Sequence, residues 1–211
     1  MKRMSIRALL GLAVIVGCGV AASAAPLEPS DPDLSREALL SDPQTPVAGD
    51  PKGDVTIVAF FDYNCPYCMK AEPALLKLLE TDKHIRLVYK DWPIFGDVSV
   101  YAARIALAAK FQGKYAGVHD ALMATRRKKA TQAEVRQIAL AAGADGTRLD
   151  ADLTAHSAEI DAILKRTDKQ ATAMGFAGTP VFLIGPFLVA AALDLPGFQE
   201  AVSNARKREK P

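Results

Sequence analysis

A pair of cysteines, Cys65 and Cys68, encloses Pro66 and Tyr67 at the junction between an apolar segment and a helical pattern. Residues 55–61 are almost continuously apolar, and their β-branched and aromatic side chains predict a buried strand. Pro66 suits the first position of a helix, where its missing N–H leaves no hydrogen bond unmade. A C-x-x-C pair at such a turn restricts the chain to folds in which both sulphurs meet at one helix N-terminus.

The pattern on either side of this turn alternates between strands and helices. Residues 98–175 are rich in alanine and have a 3.6-residue periodicity, which predicts a block of four or five helices. The predicted elements are a strand at 55–61, a helix at 66–80, a strand at 85–89, helices within 98–175, strands at 178–185 and 187–190, and a helix at 196–207. This order predicts an α/β fold with an inserted all-helical domain.

The amino terminus has the pattern of a secretory signal. Lys2, Arg3 and Arg7 form a positive region, and an apolar stretch of 13 residues follows from Ala8 to Val20. Small residues at 22–24 predict cleavage after Ala24, which would place the protein in the periplasm. An alternative is a lipoprotein anchored at Cys18, because residues 15–18 form a loose lipobox. Both routes lead to a compartment in which disulfides persist.

The charge balance argues against a nucleic-acid partner. The formal charge is +2, and losing the three basic residues of the first 24 would leave it at −1. One run of four basic residues, Arg126–Lys129, is expected to form a solvated surface.

The cysteine count favours redox chemistry over structure. Loss of Cys18 would leave Cys65 and Cys68 alone, and a bridge across two residues constrains too little chain entropy to stabilise the fold appreciably. A zinc site needs four ligands, and the three histidines, His84, His119 and His156, have no suitable spacing. His119 is expected to be an ordinary helix residue with its hydrogen bonds satisfied. Cu(I) binding by the two thiolates remains an alternative, because two soft ligands can suffice.

The position of Cys65 at a helix start predicts a reactive thiolate. Unpaired backbone N–H groups and the helix dipole favour negative charge there, so Cys65 should have a depressed pKa and some exposure. Cys68, one turn further on, should be more buried. Cys65 would form a mixed disulfide that Cys68 or a substrate thiol resolves. Pro66 and Tyr67 would tune the pair, and Asp62 is a secondary candidate beside the turn.

Three segments together resemble the DsbA family of bacterial thiol:disulfide interchange proteins: Phe60–Cys68, Asp91–Gly96 and Gly178–Phe182. The resemblance runs from about Asp50 to the C-terminus and implies a thioredoxin-like fold with a helical insertion. It also implies that Cys65 is the nucleophile and Cys68 the resolving thiol. Pro180 would be a cis-proline facing the pair, and the backbone at Thr179 would bind a substrate peptide.

The resemblance further implies the partners. These are reduced or unfolded exported proteins and a membrane redox partner that resets the Cys65–Cys68 disulfide, with no other cofactor and no metal. The short segment before the core favours a monomer. The predicted domains are a signal peptide at 1–24, a tail and lead-in at 25–53, a thioredoxin-like core at 54–97 and 176–211, and the helical insertion at 98–175.

Two departures from the family pattern leave the direction of electron flow open. Ala59 stands where many members have a glutamate that helps move protons to the buried thiol, so either Asp62 or water would substitute, or the pair would exchange protons more slowly. Thr179 before the proline, and Tyr67 within the C-x-x-C, are more typical of isomerases and reductases. Oxidation of substrate thiols remains our first expectation, and isomerase or reductase activity is the alternative.

Overall fold

The computed structural model describes residues 31–209, so the predicted signal peptide and Cys18 lie outside the described residues. A short 3-10 helix, Pro32–Leu34, begins the described chain. The helices are α1 (Arg36–Leu40), α2 (Pro66–Thr81), α3 (Asp97–Lys110), α4 (Tyr115–Ala124), α5 (Gln132–Ala141), α6 (Gly146–Ala155), α7 (Ser157–Ala173) and α8 (Leu195–Glu209). The strands are β1 (Val47–Gly49), β2 (Val55–Phe61), β3 (Ile85–Asp91), β4 (Val181–Ile184) and β5 (Phe187–Val189).

The five strands form one mixed sheet in the order β1-β3-β2-β4-β5. Strands β2 and β3 are parallel, with Val55 opposite Ile85, and α2 makes the crossover between them. The other three pairings are antiparallel. Because β2 lies at the centre and leads directly into α2, the sheet fixes where the C-x-x-C turn begins.

Both faces of the central strands are covered, which explains their nearly continuous apolar sequence. One face of β2 packs Ile57 and Phe61 into the main core with α2 and the inserted helices. The opposite face packs Val58 and Phe60 against a smaller cluster that includes Trp92. The turn after β2 therefore follows a strand that both cores hold, and its own residues Tyr63 and Cys65 pack into the main core.

Helices α3 to α7 lie between β3 and β4 in the chain, so the predicted α/β fold with an all-helical insertion is confirmed. Side-chain caps begin two of them: Thr131 accepts from the Glu134 N–H at α5, and Asp145 from the Arg148 N–H at α6. The inserted helices span 97–173, close to the predicted 98–175.

Two boundaries differ from the sequence expectation. The lead-in, expected to be a loop with one helical patch, also contains β1, which pairs with the edge of β3 through Val47 and Val88. The third predicted strand, 178–185, begins only at Val181. The residues before it form a loop that contains a cis peptide bond between Thr179 and Pro180, the isomer that the family resemblance implied.

Candidate functional site: two thiols at the start of α2

Cys65 is the N-cap residue of α2, with an extended backbone at φ −79° and ψ 118°. Its Sγ accepts a hydrogen bond from the Cys68 N–H at 3.4 Å, and Pro66 occupies the first helical position. Both cysteines are present as free thiols. The sulphur of Cys65 thus lies where the unpaired amides of a helix N-terminus stabilise negative charge.

The loop before β4 covers the first thiol. Cys65 Sγ lies 3.1 Å from the Thr179 carbonyl oxygen, to which it donates while it is protonated, and the two residues are 114 positions apart. Cys65 has 0% of its surface exposed and Cys68 has 3%. The expectation that Cys65 would have some exposed surface is therefore wrong. The Thr179 backbone lies directly against the sulphur that was expected to face solvent.

The pKa values of the two thiols are shifted in opposite directions. The hydrogen bond from Cys68 is the largest influence on Cys65; with help from Thr179 and from backbone amides it overcomes burial and lowers the pKa of Cys65 to about 6. Burial and the neighbouring Cys65 sulphur raise the pKa of Cys68 far above its usual range. At neutral pH the pair therefore consists of a Cys65 thiolate and a Cys68 thiol.

The side-chain hydroxyl of Thr179 also belongs to the site. Its Oγ1 is buried and has no hydrogen-bond partner among the described residues. A hydroxyl can donate as well as accept, so this oxygen can turn its proton toward a sulphur that carries negative charge. The side chain of Thr179 acts on both thiols in the direction of a lower pKa.

The carboxylate of Asp62 fixes the turn and makes no contact with either thiol among the described residues. One oxygen accepts from the Asn64 N–H at 2.6 Å and the Ser99 hydroxyl at 2.8 Å. The other accepts from the backbone N–H groups of Ile94 and Phe95 at 2.7 and 3.0 Å. With four donors already bound, Asp62 is placed to hold the end of β2 against the start of α3.

Lys129 is a site residue that the sequence analysis missed. It belongs to the basic run at 126–129, which was expected to be solvated throughout, yet Lys129 has 0% exposure whereas its three predecessors are exposed. Its Nζ donates to the carbonyl of Tyr63, and its backbone N–H donates to Asn64 Oδ1 at 2.8 Å. Burial lowers the pKa of Lys129 to about 8, so the ammonium stays charged at neutral pH.

A second buried polar group lies between α2 and α4. His119 Nε2 is 3.2 Å from Glu72 Oε1, and Nδ1 is 3.1 Å from the Tyr63 hydroxyl, so the expectation of a satisfied histidine is confirmed. Ligand atoms of Glu72, His119 and Asp120 lie within 4.8 Å of one another. Among the described residues, these form the one group of three or more such ligands, and His119 and Glu72 already bond each other.

A groove of about 730 Å³ begins beside the thiols. Tyr67, which is 63% exposed, lines it together with Lys70, the Thr179–Pro180 loop and Leu188. Trp92 is not part of this groove: its ring is buried in the smaller core, and its Nε1 donates to Asp168 at 3.0 Å. The groove offers an apolar surface and one cation, Lys70, beside the C-x-x-C turn.

A C-x-x-C pair that caps a helix after a central strand, with a cis-proline loop against it, defines a redox site of the thioredoxin class. Solved structures agree. A thioredoxin-like oxidoreductase from Silicibacter pomeroyi DSS-3 is 44% identical, with a TM-score of 0.77 over 82% of this chain and 98% of that chain. A periplasmic thioredoxin-like protein from Salmonella enterica serovar Typhimurium is 28% identical, with a TM-score of 0.68 over 80% and 94%. The thiol-disulfide exchange protein alpha-DsbA2 from Wolbachia pipientis, 24% identical, shares the fold with a TM-score of 0.75 over 82% and 93%.

The family model described as thioredoxin matches residues 41–204. The chain belongs to the thioredoxin family, and its likeness to DsbA-type proteins is confirmed. It is also 40% identical over 110 residues to the Na(+)/H(+) antiporter NhaA 1 of Salinispora arenicola, a match that covers 51% of this chain and 16% of the antiporter. Within residues 31–209, no helix has the length and apolar character needed to cross a membrane.

Proposed function

We propose that the protein is an exported thiol:disulfide oxidoreductase that exchanges disulfides with the cysteines of other exported proteins. The observation that carries the proposal is the contrast between the two thiols: the pKa of Cys65 is lowered to about 6 and that of Cys68 is raised. Such a pair has one good nucleophile and leaving group and one protected thiol that returns to close the disulfide. The groove lined by Tyr67 and the Thr179–Pro180 loop would hold the client chain.

The reaction with a reduced client proceeds in two exchanges. A client thiolate attacks Cys65 Sγ of the Cys65–Cys68 disulfide, and Cys68 leaves and takes up a proton. A second client thiolate then attacks the client sulphur of the mixed disulfide and expels Cys65 as a thiolate. The client loses two electrons and two protons; Cys68 keeps one proton, and the other passes to solvent because Cys65 stays ionised above pH 6.

Oxidation of clients is the favoured direction. A thiolate that is stabilised in the reduced protein has no counterpart in the disulfide, so a low pKa of Cys65 favours the reduced form and makes the disulfide a stronger oxidant. A membrane redox partner would then return the pair to its disulfide. Isomerase or reductase activity is the runner-up, because Thr179 and Tyr67 are the residue types that favour it.

Export to the periplasm is part of the proposal. The predicted signal sequence at 1–24 supports it, as does the likeness to a solved protein described as periplasmic. Labelling the protein in cell fractions and sequencing the mature amino terminus would test it; a mature chain that begins at Ala25 is expected.

The central test is substitution of the pair. Cys65→Ser should abolish oxidation of a reduced client, and Cys68→Ser should trap the mixed disulfide at Cys65. Retained exchange in the Cys65→Ser protein would refute the mechanism. A reduction potential near about −120 mV would mark an oxidant and one near about −270 mV a reductase. Stoichiometric Cu(I) binding without any exchange activity would point instead to a copper-handling protein.

A further inference from the structure

We propose that Lys129, contributed by the helical insertion, supplies a buried positive charge beneath the active-site turn that stabilises the Cys65 thiolate and makes the disulfide more oxidising. The inference rests on the proposed thiol:disulfide exchange and assigns a positioning and electrostatic role within it. Lys129 lies in the loop between α4 and α5, far from the cysteines in sequence.

The geometry places the ammonium against the turn itself. Lys129 Nζ donates to the carbonyl of Tyr63, two residues before Cys65, and lies 3.9 Å from Sδ of Met69, one helical turn after it. The charge therefore contacts the chain on both sides of the nucleophile. No part of the Lys129 residue is exposed, so water screens this charge little.

The loop that carries Lys129 is attached to the same turn. The Asn64 side chain accepts from the Lys129 N–H at 2.8 Å and donates to the Lys129 carbonyl at 3.5 Å. Asn64 immediately precedes Cys65 in the chain. These two bonds hold the backbone of the loop in one register against the turn, so the position of the ammonium is set by the fold.

This cation has no dedicated counter-ion. Among residues 31–209, no carboxylate forms a salt bridge with Lys129 Nζ. Asp62 and Glu134 attract it from a distance, and Arg127 repels it. The Asp62 carboxylate already binds four donors, and Glu134 is paired with Arg127 at 2.5 Å.

A buried cation without a partner is costly, and a nearby anion lowers that cost. The Cys65 thiolate is such an anion, and it exists only when the pair is reduced. Formation of the disulfide removes it and leaves Lys129 with only the attraction of Asp62 and Glu134. Lys129 thus stabilises the reduced protein more than the oxidised one, which is the condition for a more oxidising disulfide.

The experiment compares three substitutions in the full chain. Lys129→Gln removes the charge but keeps an N–H donor for the Tyr63 carbonyl, whereas Lys129→Arg keeps both. Lys128→Gln is the matched control, since Lys128 is the exposed neighbour in the same loop. Two quantities are measured: the pKa of Cys65 from thiolate absorbance near 240 nm, and the equilibrium constant for oxidation by glutathione disulfide.

We expect Lys129→Gln to raise the pKa of Cys65 by about one unit and to shift the equilibrium about tenfold toward the disulfide, about 30 mV. Lys129→Arg and Lys128→Gln should match the parent protein. Equal shifts in the pKa of Cys65 for Lys129→Gln and Lys129→Arg would mean that the contact is purely structural. No shift for Lys129→Gln would mean that the charge is irrelevant. Either result overturns the inference.

If Lys129→Gln fails to fold, Asn64→Ala tests the same point, because release of the loop should raise the pKa of Cys65 while Lys129 remains.

The two proposals can fail separately. A parent protein that does not exchange with glutathione at all would refute the proposed function. The absorbance titration would still show whether position 129 changes the ionisation of Cys65.

Discussion

At the scale of single residues, Cys65 and Cys68 show how one turn of helix separates two chemistries. The Cys65 sulphur receives a hydrogen bond from the amide of Cys68. The thiol of Cys68 and the hydroxyl of Thr179 also lower the pKa of Cys65. Cys68 has burial and a sulphur neighbour instead. The identical side chains therefore differ because of position alone, and the donors around Cys65 can be removed one at a time.

The hydroxyl of Thr179 gives the first prediction. Thr179→Val keeps the shape of the side chain but removes the buried donor, so the pKa of Cys65 should rise by about one unit. Thiolate absorbance as a function of pH measures this directly. Thr167→Val, at a buried threonine on α7, is the control and should leave the titration unchanged.

The thiol of Cys68 gives the second prediction. Alkylation of Cys65 should follow its thiolate, rising with pH and levelling off above a midpoint at about 6. Cys68→Ala removes the largest contribution that lowers this pKa, so the midpoint should move upward, toward the ordinary thiol value. Rates with iodoacetamide from pH 4 to pH 9 would show it, and an unchanged midpoint in Cys68→Ala would contradict the assignment.

Sequence reasoning found the cysteines, the cis-proline and its threonine, because each belongs to a short motif with a fixed meaning. It did not find Lys129, since four consecutive basic residues have no internal sign that the last one is buried. Its burial depends on the Asn64 side chain and the Tyr63 carbonyl, 65 and 66 positions earlier in the chain. Contacts over such separations are decided by tertiary packing, which local patterns do not contain.

At the scale of elements, Asp62 joins the end of β2, the start of α2 and the start of α3. Asp62→Ala should lower the free energy of unfolding by about 3 kcal/mol, because three backbone N–H groups and one hydroxyl lose their acceptor. Urea unfolding of the reduced proteins measures this. Ser99→Ala removes one of the four bonds and should cost only about 1 kcal/mol; an equal loss in both variants would refute the central role of the carboxylate.

Asp91, the last residue of β3, is a buried acid whose effect on the free energy of unfolding depends on pH. Burial raises the pKa of Asp91 to about 6, although the Tyr115 hydroxyl donates to its Oδ2. A raised carboxyl pKa means that the folded state holds its proton longer than the unfolded state, so stability is lost as pH rises from about 4 to about 6. Asp91→Asn should therefore match the parent protein near pH 4 and exceed it by about 2 kcal/mol above pH 6.

Urea midpoints at pH 4 and pH 7 would test the effect of Asp91. Glu200→Gln, at an exposed position of α8, should show no such difference between the two values of pH. A uniform stabilisation of Asp91→Asn at both values would mean that packing, and not ionisation, is responsible.

The elements themselves were largely predictable. Strand β2 has the predicted bounds, Val55–Phe61, because a continuous apolar run between turn residues leaves little choice. Strand β1 was missed because Val47–Gly49 is only three residues long and largely exposed. It is a strand because the edge of β3 offers it hydrogen bonds, which is a property of β3 and not of its own sequence.

At the scale of the whole molecule, the redox state of the pair should change the stability of the fold. The pKa of Cys65 is lowered on folding, from about 8.5 in an unfolded chain to about 6. The reduced protein therefore gains stability that is fully present above about pH 8.5 and is lost as pH falls through about 6. The oxidised protein has no such group.

Urea unfolding of both forms between pH 5 and pH 9 measures this effect. The reduced form should gain about 2–3 kcal/mol relative to the oxidised form across that range. Reduced Cys65→Ser should lack the rise. A difference between the two forms that does not vary with pH would contradict a folded-state thiolate at Cys65.

The contact between Cys65 and Thr179 also affects when the Cys65 thiol reaches its full acidity. The two residues are 114 positions apart, and β4, which follows Thr179, pairs with β2 only after the whole helical insertion has been made. Contacts between distant parts of a chain form late in folding. A chain that still lacks β4 therefore has only the local part of the thiolate stabilisation, which comes from Cys68 and the helix N-terminus. The full acidity arises only once the segment beyond Thr179 has been made, so Cys65 in a growing chain is less reactive than Cys65 in the folded protein.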